Sequence, residues 1–469
     1  MKSSMHHSIF KIIYFFFLAN LFSACQKDND IPSPVLLATA EFAWLKSVGG
    51  TNDEVIRGTF LDEQGNTYIV GTFRGTIYIG GQTLTGKGLL DIFMAKLDPN
   101  GNFIWQKSFG SSTGNDLAVD VDGDESGNMY VTGMFSSYID FGNGISLDAG
   151  TSNDDVFVAK FDASGVCQWA KMGVGTATDY GNEINVSSDN QIFTIGFANN
   201  GIAFGSILLN NPTGFGMFVS KHNNSGLLQW AKLFSATGEV AGRGISSDPS
   251  GNVLITGTFK GTLTLGTTSL TASSANGDVF VAKLDANGNT LWAKKFGLTG
   301  ENYARGIDSD SEGSIYVSGV FETQITFGSL NLNSNGQKDI FLTKFDSNGN
   351  AIWAKNIGSE GNEEGCEIEV NTNGNVFFSG SYTGKLTLNG ESFTAKGLRD
   401  VFIAKVDKNG TFLWQKTMGG LQDDVNYAIG LNRTNENIVT VGTFGGTFSQ
   451  GSQSVTSLGR YDSYISFVK

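Results

Sequence analysis

In the stretch DIFLTKFDSNGNAIWAKNIG, Asp339 to Gly358, a carboxylate stands five residues before a lysine. A second Asp then precedes a glycine-bearing turn and Trp-x-Lys. A Lys beside a carboxylate is a starting point for acid–base or covalent chemistry. A further stretch, DVDGDESGN from Asp120 to Asn128, sets three acids at alternate positions as a calcium loop does, but it lacks the downstream bidentate Glu. Beyond His6 and His7 near the start, His222 is the sole imidazole, which argues against His-rich metal sites and His-dependent triads. Cys167 and Cys366 show no framework spacing, so a disulfide scaffold is not expected.

The first stretch is one copy of many. The seven tryptophans, Trp44, Trp105, Trp169, Trp230, Trp292, Trp353 and Trp414, are spaced by 61, 64, 61, 62, 61 and 61 residues. DIFMAKLDPNGNFIWQK from Asp91 and DVFIAKVDKNGTFLWQK from Asp400 repeat the Asp339 stretch. A second element recurs as GNTYIVGTF from Gly65, GNVLITGTF from Gly251 and ENIVTVGTF from Glu436. A period of this length marks stacked or radially arranged units.

Each unit parses into four short strands with alternating side chains. In one copy, strand a lies around ARGIDSD, b is SIYVSGVF, c is DIFLTKFD and d is NAIWAKNIG. Asp-x-x-Gly joins a to b and c to d, which suits a tight turn with Gly at positive φ. A Gly-punctuated excursion between b and c reads as an extra hairpin or wide loop. At the chain ends, DSYISFVK from Asp462 reads as a strand c, and EFAWLKSVGG from Glu41 as the strand d that completes its unit. The expected fold is all-β: a seven-bladed β-propeller of four-stranded antiparallel blades, its ring closed by the N-terminal strand completing the last blade.

These units resemble the seven-bladed beta-propeller repeat (SBBP) family over residues 41–469. The resemblance implies a propeller in a secreted or surface protein and carries no activity with it. LDANGNTLW, Leu284 to Trp292, also resembles the sialidase Asp-box and the tryptophan motif of quinoprotein-like propellers, but its intervals differ from each by one residue.

The repeated columns read as structure. Lysine fills one strand-c position in every unit (Lys96, Lys283 and Lys344 among them), and copies in every unit cannot all be one active site. Snorkelling stems with the ammonium near a blade Asp are expected. The Trp column reads as core that holds blade to blade. The strand-b glycines, such as Gly71 and Gly133, read as close backbone approach or a bulge.

Where the units disagree, a site is expected. One strand-a column reads Arg57, Val119, Asn182, Arg243, Arg305, Cys366 and Tyr427. Arg57, Asn182, Arg243, Arg305 and Tyr427 are the candidate ligand-binding residues, placed at the mouth of a central channel. The d–a loops beside them carry Asp53, Glu54, Asp116, Asp179, Glu239, Glu301, Glu363, Glu364, Asp423 and Asp424, which read as an acidic rim. The third unit is the most divergent, with Ala198, Gly216 and His222 at otherwise regular positions.

The leader gives the address. A short basic start and an apolar run near residues 12–22 precede Ser23-Ala24-Cys25, which resembles a lipobox with Cys25 as the lipidated residue. Residues 1–24 read as a lipoprotein signal peptide, 25–40 as a lipidated tether and 41–469 as the propeller. QKDND after Cys25 resembles an export tag, so an outer-membrane lipoprotein at the cell surface is expected, held to the membrane through its N-terminal lipid alone. The net charge of −14 argues against nucleic acid. A monomer that binds a protein or glycan partner is expected, without cofactor, metal or catalytic residues. The alternative is a polysaccharide-active lyase or hydrolase using carboxylates and Arg at the channel mouth.

Overall fold

The computed structural model describes residues 40–150 and 153–469. The leader and Cys25 lie outside the described residues. Within them every named element is a strand, and the strand ladders are antiparallel.

In the first unit Val55–Leu61, Thr67–Phe73, Asp91–Leu97 and Phe103–Phe109 are hydrogen-bonded in that order. The two middle strands, TYIVGTF and DIFMAKL, are rich in β-branched and aromatic residues and buried on both faces, because neighbouring units cover each side. The same order recurs in the units that begin at Leu117, Tyr180, Val240, Asn302 and Glu363. In the remaining unit Val425–Leu431, Ile438–Phe444 and Asp462–Val468 are followed by Phe42–Gly50, so the strand nearest one end of the chain pairs with the strand nearest the other. The strands a lie side by side in chain order, and Val425–Leu431 rests against Val55–Leu61. Sheets standing radially on such inner strands make a β-propeller.

The b–c excursions are hairpins, or extensions of strands b and c, that reach the preceding unit. Thr76–Ile79 pairs with Phe42–Gly50, Thr262–Leu265 with Leu228–Ala236, and Thr447–Gln450 with Phe412–Gly420. Each covers the outer edge of a strand d, which would otherwise offer free N–H and C=O groups. The Asp-x-x-Gly turns form as the sequence implies: the Gly65 amide donates to the Asp62 carbonyl at 2.9 Å, and Gly65 takes φ of 82°.

The tryptophans join units, but they are not all core. Trp44 is buried, whereas Trp105, Trp169, Trp230, Trp292, Trp353 and Trp414 are half-buried. The indole N–H groups of Trp44, Trp105, Trp169, Trp230, Trp292 and Trp353 each donate to a carbonyl in the c–d turn of the next unit, as Trp105 does to Ala163 at 3.1 Å and Trp353 to Lys408 at 3.0 Å. The glycine of that turn lies against the ring; a Cβ on Gly165 would sit 3.0 Å from Trp105. The indole thus finds its hydrogen-bond partner at the seam.

The strand-c lysines behave as structural ions. Lys344 lies 3.4 Å from Asp310 with both side chains nearly closed to solvent, Lys283 lies 2.6 Å from Asp248, and Lys405 lies 2.5 Å from Glu436. The Lys344 ammonium also sits 4.9 Å from the centre of the Tyr316 ring. Asp310→Ala leaves that ammonium buried without its counter-ion and is expected to cost about 3–5 kcal/mol in urea unfolding. Adding Lys344→Met should restore part of the loss.

Candidate functional site

The variable column owes its direction to a repeated defect in the ladder. The register between strands a and b slips between Ile56 and Gly58, leaving Arg57 without an opposite partner. The same slip singles out Val119, Asn182, Arg243 and Tyr427, and in two units it spans a pair that includes Arg305 or Cys366. A β-bulge of this kind re-aims one side chain without disturbing the sheet around it. The strand-b glycine makes room for it. A Cβ on Gly133 would fall 1.9 Å from the Leu117 carbonyl oxygen, and one on Gly71 2.4 Å from that of Val55. Gly133→Ala should therefore cost about 3 kcal/mol and lower the melting midpoint, read by circular dichroism.

The bulges converge on a cavity of about 860 Å³. Arg57, Asn182, Arg243, Arg305 and Tyr427 all line it, as does Val119. The side chain of Cys366 lies outside the described ones. Asn182 spans the seam between units, its amide donating to the Gly242 carbonyl at 2.6 Å. Arg305 lies over the Tyr303 ring at 5.4 Å. Arg57 and Arg305 each carry a buried Nε without an acceptor.

Beneath the bulge residues runs a layer of carboxylates that the column comparison missed. Asp120, Glu183 and Glu367 follow the bulge, and Asp122, Asp308 and Glu369 come two residues later. Several of them stitch one inner strand to the next. Asp120 accepts the Ile184 amide at 3.0 Å, Asp122 the Val186 amide at 2.7 Å and Asp308 the Val370 amide at 2.8 Å. The acids of DVDGDESGN thus serve strand joining and a turn. Asp124 accepts the Asn128 amide at 3.0 Å, and no metal-ready group of three ligands occurs among the described residues. Arg433, from the last a–b turn, reaches Asp308 at 3.0 Å and Glu369 at 3.2 Å. It lies past the repeating register, so the column could not show it.

Glu367 has a different setting. It faces Arg305 and Arg243, whose charges favour its ionised form, yet burial in the wall still raises its pKa. Burial and then Glu367 hold Glu183 well above the usual carboxylate range. Burial likewise pushes Asp120 and Glu369 up to about 8 and Asp122 up to about 6. As pH rises from 5 to 8.5 these walls gain negative charge. The affinity of any anionic probe for the cavity is therefore expected to fall over that range, read by titration calorimetry.

The acidic rim needs correction. Glu54, Asp116, Asp179, Glu363 and Asp424 are buried, not solvated. They cap the ends of preceding strands: Glu54 accepts the Gly50 amide at 3.0 Å and Asp424 the Gly420 amide at 2.6 Å. Asp53, Glu239 and Glu301 do stand exposed. His222, in the divergent third unit, is buried beside Trp169, and burial lowers its pKa to about 4.

No family model matches the chain. It is 22% identical to an uncharacterized WD repeat-containing protein of Acanthamoeba polyphaga mimivirus over 535 residues, 91% of this chain and 38% of that protein. It is 26% identical to the regulatory protein FlaEY of Caulobacter vibrioides over 206 residues, 42% of this chain and 21% of that protein. The chain thus spans well under half the length of these curated relatives. Among solved structures it is similar to a protein of unknown function from Dyadobacter fermentans, with 10% identity and a TM-score of 0.45 over 92% of this chain and 99% of that one. A gluconolactonase from Xanthomonas campestris gives 12% identity and a TM-score of 0.33 over 72% and 86%. The repeat units and their radial sheets make this chain a repeat-built β-propeller with a polar, charged central cavity.

Proposed function

We propose that the chain is a closed seven-bladed propeller of the SBBP type, lipid-anchored through Cys25 at the outer membrane and displayed at the cell surface. Its channel mouth binds an anionic group on a protein or glycan partner. The succession of four-stranded units, the neighbouring inner strands and the pairing of Phe42–Gly50 with Asp462–Val468 support the closed count.

The observation that carries the binding reading is the cluster of guanidiniums on bulges. Arg57, Arg243 and Arg305 enter one cavity, and among the described residues Arg433 is the channel arginine that forms ion pairs. A planar donor fork held in a partly desolvated cleft suits carboxylate or sulfate recognition. Titration of the purified chain with acidic and neutral oligosaccharides and acidic peptides tests it. Binding restricted to the acidic members is the expected result, and equal binding of the neutral ones would count against it.

The lyase or hydrolase reading has one observation in its favour: Glu183 and Glu367, with raised pKa values, share the cavity with Arg243 and Arg305. Cleavage of an acidic polysaccharide that disappears in Glu367→Gln would favour it over binding alone. For the anchor, Cys25→Ser should move the protein from the membrane to the soluble fraction. Shaving of intact cells should digest the propeller; protection until lysis would exclude surface display.

A further inference from the structure

Strand c of each unit opens where the d–a loop of the following unit arrives. In three of these seams the backbones form a parallel bridge, Leu90 with Asn115, Lys338 with Asn362 and Arg399 with Asp423. In the first of them both oxygens of the second acid, Asp116, accept backbone amides, and the other two differ. The next residues in those two are side by side: Asp339 beside Glu363, and Asp400 beside Asp424. All four are buried. Both heads of the first pair converge on Gly358, where a Cβ would lie 2.5 Å from the Asp339 carboxyl carbon and 2.6 Å from Glu363 Oε2.

One oxygen of each carboxylate is accounted for. Asp339 Oδ2 accepts the Asn335 amide at 2.8 Å and Glu363 Oε2 the Ser359 amide at 3.3 Å. Asp400 Oδ2 accepts the Lys396 amide at 3.1 Å, and Asp424 Oδ2 the Gly420 amide at 2.6 Å. The other four oxygens, Asp339 Oδ1, Glu363 Oε1, Asp400 Oδ1 and Asp424 Oδ1, are buried without a donor. At the first pair the oxygens of Asn356 and Ser359 are also buried and unpartnered. Such a concentration of acceptors is costly unless something positive lies among them.

The nearby cations form their bonds elsewhere, although the charge of Lys396 opposes the effect of burial on Asp400. Lys338 reaches Glu301 at 2.7 Å, Arg399 reaches Asp423 at 2.6 Å and Glu364 at 3.0 Å, and Lys396 Nζ donates to the Gly419 carbonyl at 3.3 Å. The chain itself shows what the missing charge does. In the seam that begins at Asp278 the second acid is Asn302, and there Lys295 lies 3.3 Å from Asp278. Lys295 stands opposite Phe280 in the ladder, the place that Asn356 takes opposite Phe341 and Thr417 opposite Phe402. Where one acid is gone a lysine pairs with the Oδ2 of the other and leaves its Oδ1 unpartnered; where both acids remain, neither forms an ion pair among the described residues.

We propose that Asp339–Glu363 and Asp400–Asp424 each hold a divalent cation of the calcium class, shared between successive units. Two hard carboxylate oxygens, with amide and hydroxyl oxygens beside the first pair and water completing the shell, suit such an ion. Binding it stabilises the folded chain, because the pairs exist only when neighbouring units are docked.

The test uses the full chain, depleted with chelator and titrated with calcium chloride and, separately, magnesium chloride at pH 7.5. Calcium should be taken up with a higher melting midpoint. Glu363→Gln should lose one equivalent or weaken it about 10-fold or more, as should Asp424→Asn. Asn356→Lys places an ammonium where Lys295 stands; it should abolish uptake at the first pair while keeping the chelated melting midpoint at or above that of the parent. The proposal is overturned if calcium neither binds nor stabilises and the midpoint in chelator simply falls from pH 5 to 8.5, since burial raises Glu363 to about 8 and Asp424 to about 7 and a shared proton would then hold the pairs. Unchanged uptake in all three variants would overturn it as well.

Discussion

A chain truncated after Tyr461 is expected to lose its cooperative thermal transition. The deleted strand, Asp462–Val468, is buried along its whole length and lies between Ile438–Phe444 and Phe42–Gly50. Tyr464, Ile465, Phe467 and Val468 leave the core with it. At about 1.5–3 kcal/mol for each large apolar side chain, the loss is roughly 6–12 kcal/mol. That is comparable to the whole net stability of an ordinary domain, about 5–15 kcal/mol. The deletion also uncovers two strand edges, so aggregation should accompany the loss. Circular dichroism melting and size-exclusion chromatography read both effects. A retained cooperative melt would show that the two terminal strands do not hold the fold together.

The double variant Arg243→Ala/Arg305→Ala is expected to weaken an acidic ligand about 100-fold or more. A hydrogen bond to a charged partner is worth about 1.5–3 kcal/mol, and two of them lost together give at least that factor. Stability should change little, because Arg243 is exposed to the cavity and Arg305 makes no ion pair among the described residues. A ligand lost together with the fold would mean that these side chains support the blades. Lys260→Met serves as the comparison, since it removes a positive charge from an exposed pair with Glu239, and neither residue lines the cavity.

Much of this architecture was legible because the units repeat. The Trp spacing, the Asp-x-x-Gly turns and the Lys column each recur, and each repeated feature proved to be a seam clamp, a turn or a structural ion pair. That the residues of the variable column line a cavity was legible for the opposite reason: a position that carries Arg, Asn and Tyr in different units is not fixed by packing. The bulge that aims them was only half visible, in the strand-b glycines that make room for it.

The carboxylate layer was missed although its signal was present. The position after the bulge reads Gly58, Asp120, Glu183, Gly244, Gly306, Glu367 and Ala428, as uneven as the column beside it. The loop acids misled because sequence gives no depth: Asp53 and Glu54 are neighbours, yet one is exposed and the other buried. Asp339, read as pure framework, is framework that leaves one buried oxygen without a partner.

Calorimetric titration of the intact chain with matched acidic and neutral oligosaccharides, together with acidic peptides, tests the central claim most directly. Binding of an acidic member at one site per chain, weakening from pH 5 to 8.5 and abolished in Arg243→Ala/Arg305→Ala, is the predicted result. Binding that is indifferent to the ligand's charge and to both arginines would contradict it.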